Sequence, residues 1–311
     1  MTARMVRLLY CFLYLLLIGA YAFGEESESG AGGGDGDDAP KVCLSCPAVR
    51  VFCMTTAEIA QRCGYGAGAC AFPWLPDNRG CQVFLPQSAC ASLNFSNLQV
   101  VNNPQDYANG TSCNDLVSTK GGGSVVNDLV SKGSDPAVIA SDCCLTGAHE
   151  FAHTQCFGDP HKSCAASNID GALADIACCE VNADRFGQSC MWKVTEQNCG
   201  MPGTASLSCS DMCIRYFTGY LTWKLHECFC NVKGEITGKI CDDCKKKCKA
   251  IRPSDLVAPP PNQILPKGCE TAAASITQDT INDACDIYYS DTGARYCPKT
   301  VDPQGASAIG K

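Results

Sequence analysis

Two stretches in the middle of the chain carry apolar residues at helical spacing. Asp135 suits a helix cap and Pro136 the first helical position; Val138, Ile139, Cys143, Leu145 and Ala148 then line one face. Gly158 and Pro160 predict a stop near Phe157. A second run starts near Asn168, with Ser167 or Asn168 as cap. It carries Leu173, Ile176, Ala177, Glu180, Ala183 and Asp184 at helical spacing and is predicted to end at Gly187. A third helix is expected over 210–227, with Ile214, Phe217, Leu221 and Leu225 on one face. Upstream the pattern shortens to strand-like runs at 49–54, 82–85 and 98–101, separated by turn residues such as those at 76–80.

The first helix carries chemistry. His149-Glu150-Phe151-Ala152-His153 is an H-E-x-x-H frame, in a chain with four histidines. Residues i and i+4 share a helix face, so both imidazoles can converge on one metal, and Glu150 can reach a water on it. Gly147 weakens the helix locally and allows another element to come close to the metal. On the second helix Glu180 and Asp184 share a face. Glu180 is the candidate third ligand, and Asp184 the candidate acceptor for the other ring N–H of a ligand histidine.

With Glu180-Val181-Asn182-Ala183-Asp184-Arg185-Phe186-Gly187, this frame resembles the gluzincin metallopeptidases. The wording from Glu180 to Gly187 is similar to the HtpX-like and CAAX-prenyl-protease group and also suits thermolysin-like enzymes. The likeness covers roughly residues 136 to 187 and departs at Gln155 and in the dense cysteines. It implies zinc held by His149, His153 and Glu180, Glu150 as general base, and Asp184 orienting His149. It also implies an α+β, zincin-like fold, with a small sheet supplied by the N-terminal part. Two other third ligands stay open. In the metzincin extension of the frame Cys156 and Asp159 hold the corresponding positions, with Met201 as a Met-turn candidate, and His161 follows Pro160. A phospholipase A2 reading of the paired cysteines fails, because four residues separate Cys144 from His149 and Glu follows it. Tyr216, Tyr220 and His226 are candidates by position for steadying an oxyanion.

Composition sets the compartment. Residues 1–22 read as a secretory signal: Arg4 and Arg7, an apolar run over 8–18, and Ala20-Tyr21-Ala22 for cleavage. Of 27 cysteines only Cys11 lies in it, leaving an even number for pairing in an oxidised, extracellular setting. Residues 23–41 form an acidic Gly-rich linker or pro-segment, and 42–134 a cysteine-rich N-terminal part. Residues 135–190 are the metal-site core, and Cys143, Cys144, Cys156, Cys164, Cys178, Cys179 and Cys190 are expected to staple its helices. Residues 191–250 are a second cysteine-rich part, 251–267 a Pro-rich linker, and 268–311 a tail with three cysteines, an odd number, so one pairs outside the tail or stays free. The run 241–249 resembles a metal knuckle, though disulfides suit the compartment better. Asn94 and Asn109 head N-glycosylation sequons expected on exposed loops.

Formal net charge is −8, and six acidic residues of segment 25–38 account for much of it, so the folded part is only mildly acidic, which argues against nucleic acid. After signal removal no segment is expected to enter a membrane. The expected partner is a protein or peptide substrate, with oligomeric state left open. Two functions are therefore expected to compete: a secreted zinc metallopeptidase, and a non-enzymatic, cysteine-rich extracellular binding protein whose histidines are incidental or hold a structural metal.

Overall fold

The alternating run at 49–54 forms β1 (Val49–Met54), in which Val49 and Val51 are buried and Arg50 is exposed. A computed structural model describes residues 46–64, 67–72, 81–113, 135–155, 173–199, 207–232, 236–257 and 265–297. All belong to the unit spanning residues 41–311. Helix α1 (Thr56–Cys63) follows β1 and opens with a reciprocal cap between Thr55 and Glu58. Next come β2 (Cys70–Phe72), β3 (Cys81–Pro86), α2 (Gln87–Ser92), β4 (Leu98–Val101) and α3 (Pro104–Ala108). The sheet order is β2-β3-β1-β4. β1 and β3 run parallel with Val51 opposite Val83, while β4 and β2 pair antiparallel on the two flanks. β3 is buried along nearly its whole length, as a central strand should be. The three expected strands are present. β2 was not legible, because three residues give too short an alternation to detect.

The helical layer begins at α4 (Pro136–Ser141), where the Asp135 carboxylate accepts from Ala137 N–H as expected of a cap. A π-helical turn (Asp142–Ala148) and α5 (His149–Ala152) continue it. Regular helix therefore ends earlier than the predicted Phe157, which lies outside the described residues. Helix α6 (Leu173–Cys199) runs twelve residues past Gly187. The predicted stop was wrong because Gly187 answers a packing need. A Cβ there would lie 3.1 Å from the Cys144 carbonyl oxygen and 3.6 Å from the His149 Cβ. Gly147 likewise serves an approach, with Leu93 as the neighbour. Helix α7 (Leu207–Cys230) lies along α6; Phe217, Leu221 and Leu225 are buried, whereas Ile214 is exposed. Then follow α8 (Gly238–Lys249), α9 (Pro253–Val257) inside the expected linker, α10 (Glu270–Ser275) and α11 (Gln278–Tyr296).

One apolar core runs from the sheet (Val51, Val83, Leu85) through Phe151 and Met191 to Leu221 and Ile281. Each such side chain, fully buried, contributes about 1.5–3 kcal/mol. Eleven disulfides join described residues and suit an oxidising compartment. Cys144–Cys190 ties the π-turn to α6, and Cys178–Cys230 ties α6 to α7. Cys241, Cys244 and Cys248 pair with Cys297, Cys228 and Cys285, so the 241–249 run is a disulfide hub. All three tail cysteines pair outside the tail, Cys269 with Cys213. No described helix is long and apolar enough to cross a membrane. Asn94 is exposed, in a left-handed turn with φ 56°, while Asn109 is half-buried at the end of α3.

Candidate metal centre

His149 begins α5 directly after the π-turn and His153 follows one helical turn later. Their rings meet edge to face with Nε2 atoms 3.2 Å apart. Glu180 comes from α6, which Gly187 and the Cys144–Cys190 bridge hold against the π-turn. Its Oε2 lies 3.1 Å from His149 Nε2 and 3.4 Å from His153 Nε2. Three ligand atoms thus form a near-equilateral triangle. A zinc ion at 2.0–2.1 Å from each of three tetrahedral ligands requires atoms about 3.3 Å apart. The donor set of two imidazoles and a carboxylate fits such an ion in both chemistry and spacing.

Asp184 stands one turn along α6 from Glu180. Its Oδ1 lies 3.1 Å from His149 Nδ1. A carboxylate oxygen accepts only, so His149 Nδ1 carries the proton and Nε2 presents its lone pair toward Glu180 and His153. His149 Nε2 and Glu180 Oε2 therefore face one another as acceptors, an arrangement that a metal ion or a proton between them satisfies. Burial depresses the His149 imidazole, but hydrogen bonds and charges from Asp184 and Glu180 outweigh it and hold the pKa well above 6.5. Burial also opposes the charged form of His153, and the Glu180 charge overcomes it, with Glu150 adding to the effect. Burial raises the Glu180 carboxyl, yet His153 and His149 bring it well below 4.5. Asp184 is lowered against its own burial by His226 and His149.

Glu150 is buried beside this cluster, on α5. The triangle is nevertheless reachable: the side chains of His149, His153 and Glu180 are 13 %, 11 % and 11 % exposed. Among the described residues the ligand group has three members. A second close group, Cys113, Cys144 and Cys190, is committed to disulfides. Asp159 and His161, the rival third ligands, lie outside the described residues, as does Met201. A cavity of about 220 Å³ adjoins His149 and Asp184 and is bordered by Gln188, Arg215, Thr218 and Thr222.

The three oxyanion candidates part company. Tyr216 turns into the core against Phe217, and burial pushes its hydroxyl up to about 12. Tyr220 sits against Trp223 and Lys224. His226 is buried, and its Nδ1 lies 2.6 Å from Asp184 Oδ2, on the far side of that carboxylate from His149. Local spacing gives no hint of this, because the pair is separated by 42 positions on different helices. Comparison with protein-family models, curated proteins and solved structures finds no match to the chain.

Proposed function

We propose that the chain is a secreted, zinc-dependent metallopeptidase of gluzincin type, with a zincin-like core. His149, His153 and Glu180 hold the metal and Glu150 is the general base. The observation that carries this reading is the triangle of Nε2, Nε2 and Oε2 atoms, 3.1–3.4 Å on an edge, built on an H-E-x-x-H frame. A zinc ion held there supplies Lewis-acid chemistry, acidifying water and polarising a carbonyl. Glu150 takes the proton of the attacking water and delivers it to the nitrogen of the departing amine. Asp184 keeps His149 in the tautomer that offers Nε2.

A peptide substrate suits the surroundings. β2 packs on α5 and is an outermost strand of the sheet, and among the described residues no strand pairs with its outer edge, which offers N–H and C=O groups to an extended chain. The eleven disulfides suit work outside the cell.

The test is hydrolysis of a quenched-fluorescent peptide library by metal-loaded wild type and a Glu150→Ala variant. Glu150→Ala is expected to keep its metal and lose activity by about 10²–10⁴-fold. A metal-loaded wild type that cleaves nothing, or a variant that cleaves as well as wild type, contradicts the proposal; the former favours a binding protein with a structural metal.

A further inference from the structure

His226 plays no part in the chemistry proposed above, yet it is buried against it. Its contact with Asp184 is shorter than that of His149: 2.6 Å to Oδ2, against 3.1 Å from His149 Nδ1 to Oδ1. Since carboxylate oxygens only accept, both imidazoles donate through Nδ1–H, and Asp184 bridges two rings. The terminal torsion of an aspartate is broad and roughly two-fold, so the side chain does not fix its own plane. A donor on each oxygen does. His226 is itself pinned: Tyr296 of α11 meets its ring edge-on at 5.9 Å and stacks on Phe229. Four residues beyond it, Cys230 is bonded to Cys178, two residues before Glu180. The helix bearing His226 is thus fastened to the helix bearing Glu180 and Asp184.

We propose that His226 is a positioning residue for the metal centre. By occupying Oδ2 it fixes the Asp184 carboxylate, so that Oδ1 holds His149 with Nε2 turned to the metal. This role rests on the metal reading above. Removing the donor leaves a buried carboxylate oxygen without it and lets the carboxylate rotate, which loosens His149.

Two substitutions separate this role from simple packing. His226→Asn keeps an N–H near the Nδ1 position and loses ring volume. His226→Leu keeps apolar bulk and loses the donor. The probe is Co²⁺, with affinity measured by chelator competition and geometry by the visible d–d bands. His226→Leu is expected to bind Co²⁺ about 10- to 100-fold more weakly, with altered bands, and His226→Asn to stay near wild type. In an Asp184→Ala background His226→Leu is expected to add nothing. The reverse order, with Leu tolerated and Asn not, marks a packing role and overturns the proposal. Wild type that takes up no Co²⁺ overturns the metal reading and this role together; equal affinities in all three proteins overturn this role alone. Histidine ¹⁵N NMR of zinc-loaded wild type checks it without any variant. A protonated His226 Nδ1, its nitrogen at high field and its attached proton at low field, is expected, and an unprotonated nitrogen contradicts it.

Discussion

Glu180 and Asp184 sit one helical turn apart and face different atoms of one imidazole, Nε2 and Nδ1 of His149. That division makes the metal-free cluster sensitive to pH in both directions. His149 is raised above its ordinary 6.5, so its contribution to stability is complete below 6.5 and fades as pH rises through the elevated native value. Glu180 and Asp184 are lowered from 4.5 and 3.8, so theirs is complete above those values and fades as pH falls through the depressed ones. Thermal melts of the metal-free protein beside a Glu180→Gln variant are therefore expected to differ most between pH 4.5 and 6.5. A difference that does not change with pH contradicts this account. At this scale the sequence was informative where partners share a helix. His149 with His153, and Glu180 with Asp184, are i,i+4 pairs that spacing reveals. His226 was not legible as Asp184's partner, because its approach depends on how α7 lies against α6.

The elements that bring these residues together depend on close backbone approaches at disulfide-bonded positions. Gly110, with φ 73°, follows α3 and faces Cys190; a Cβ there would lie 2.5 Å from the Cys190 Cβ and 2.7 Å from its sulfur. Cys190 cannot retreat, being bonded to Cys144 in the π-turn before His149. Gly110→Ala is expected to destabilise by about 1–3 kcal/mol from overpacking, with a further cost from the left-handed backbone. Denaturant melts of the purified, disulfide-bonded protein check this, and an unchanged midpoint contradicts it. Helix starts and the longer strands were legible because caps and periodicity are local. Helix ends were less so: Gly187 carries the same local signal as a stop, and only the nearness of Cys144 explains it.

Across the described residues, the part of the expected tail up to Cys297 belongs to the fold. Cys269, Cys285 and Cys297 bond α10, α11 and the end of the described chain to α7 and α8, and Tyr296 closes over His226. A chain ending at residue 257 loses all three bridges, each worth about 2–4 kcal/mol. It is expected to be poorly secreted and to lose its metal, as yield and metal analysis would show; full metal loading of the short form contradicts this. Disulfide connectivity was beyond sequence reasoning, since pairing follows from tertiary neighbours and not from spacing. The central claim, that His149, His153 and Glu180 hold one metal ion, is tested most directly by zinc X-ray absorption on the purified protein. A single shell of nitrogen and oxygen at about 2.0–2.1 Å, with scattering from two imidazoles and no sulfur, is the expected result. Sulfur at about 2.3 Å, or no zinc retained, contradicts it.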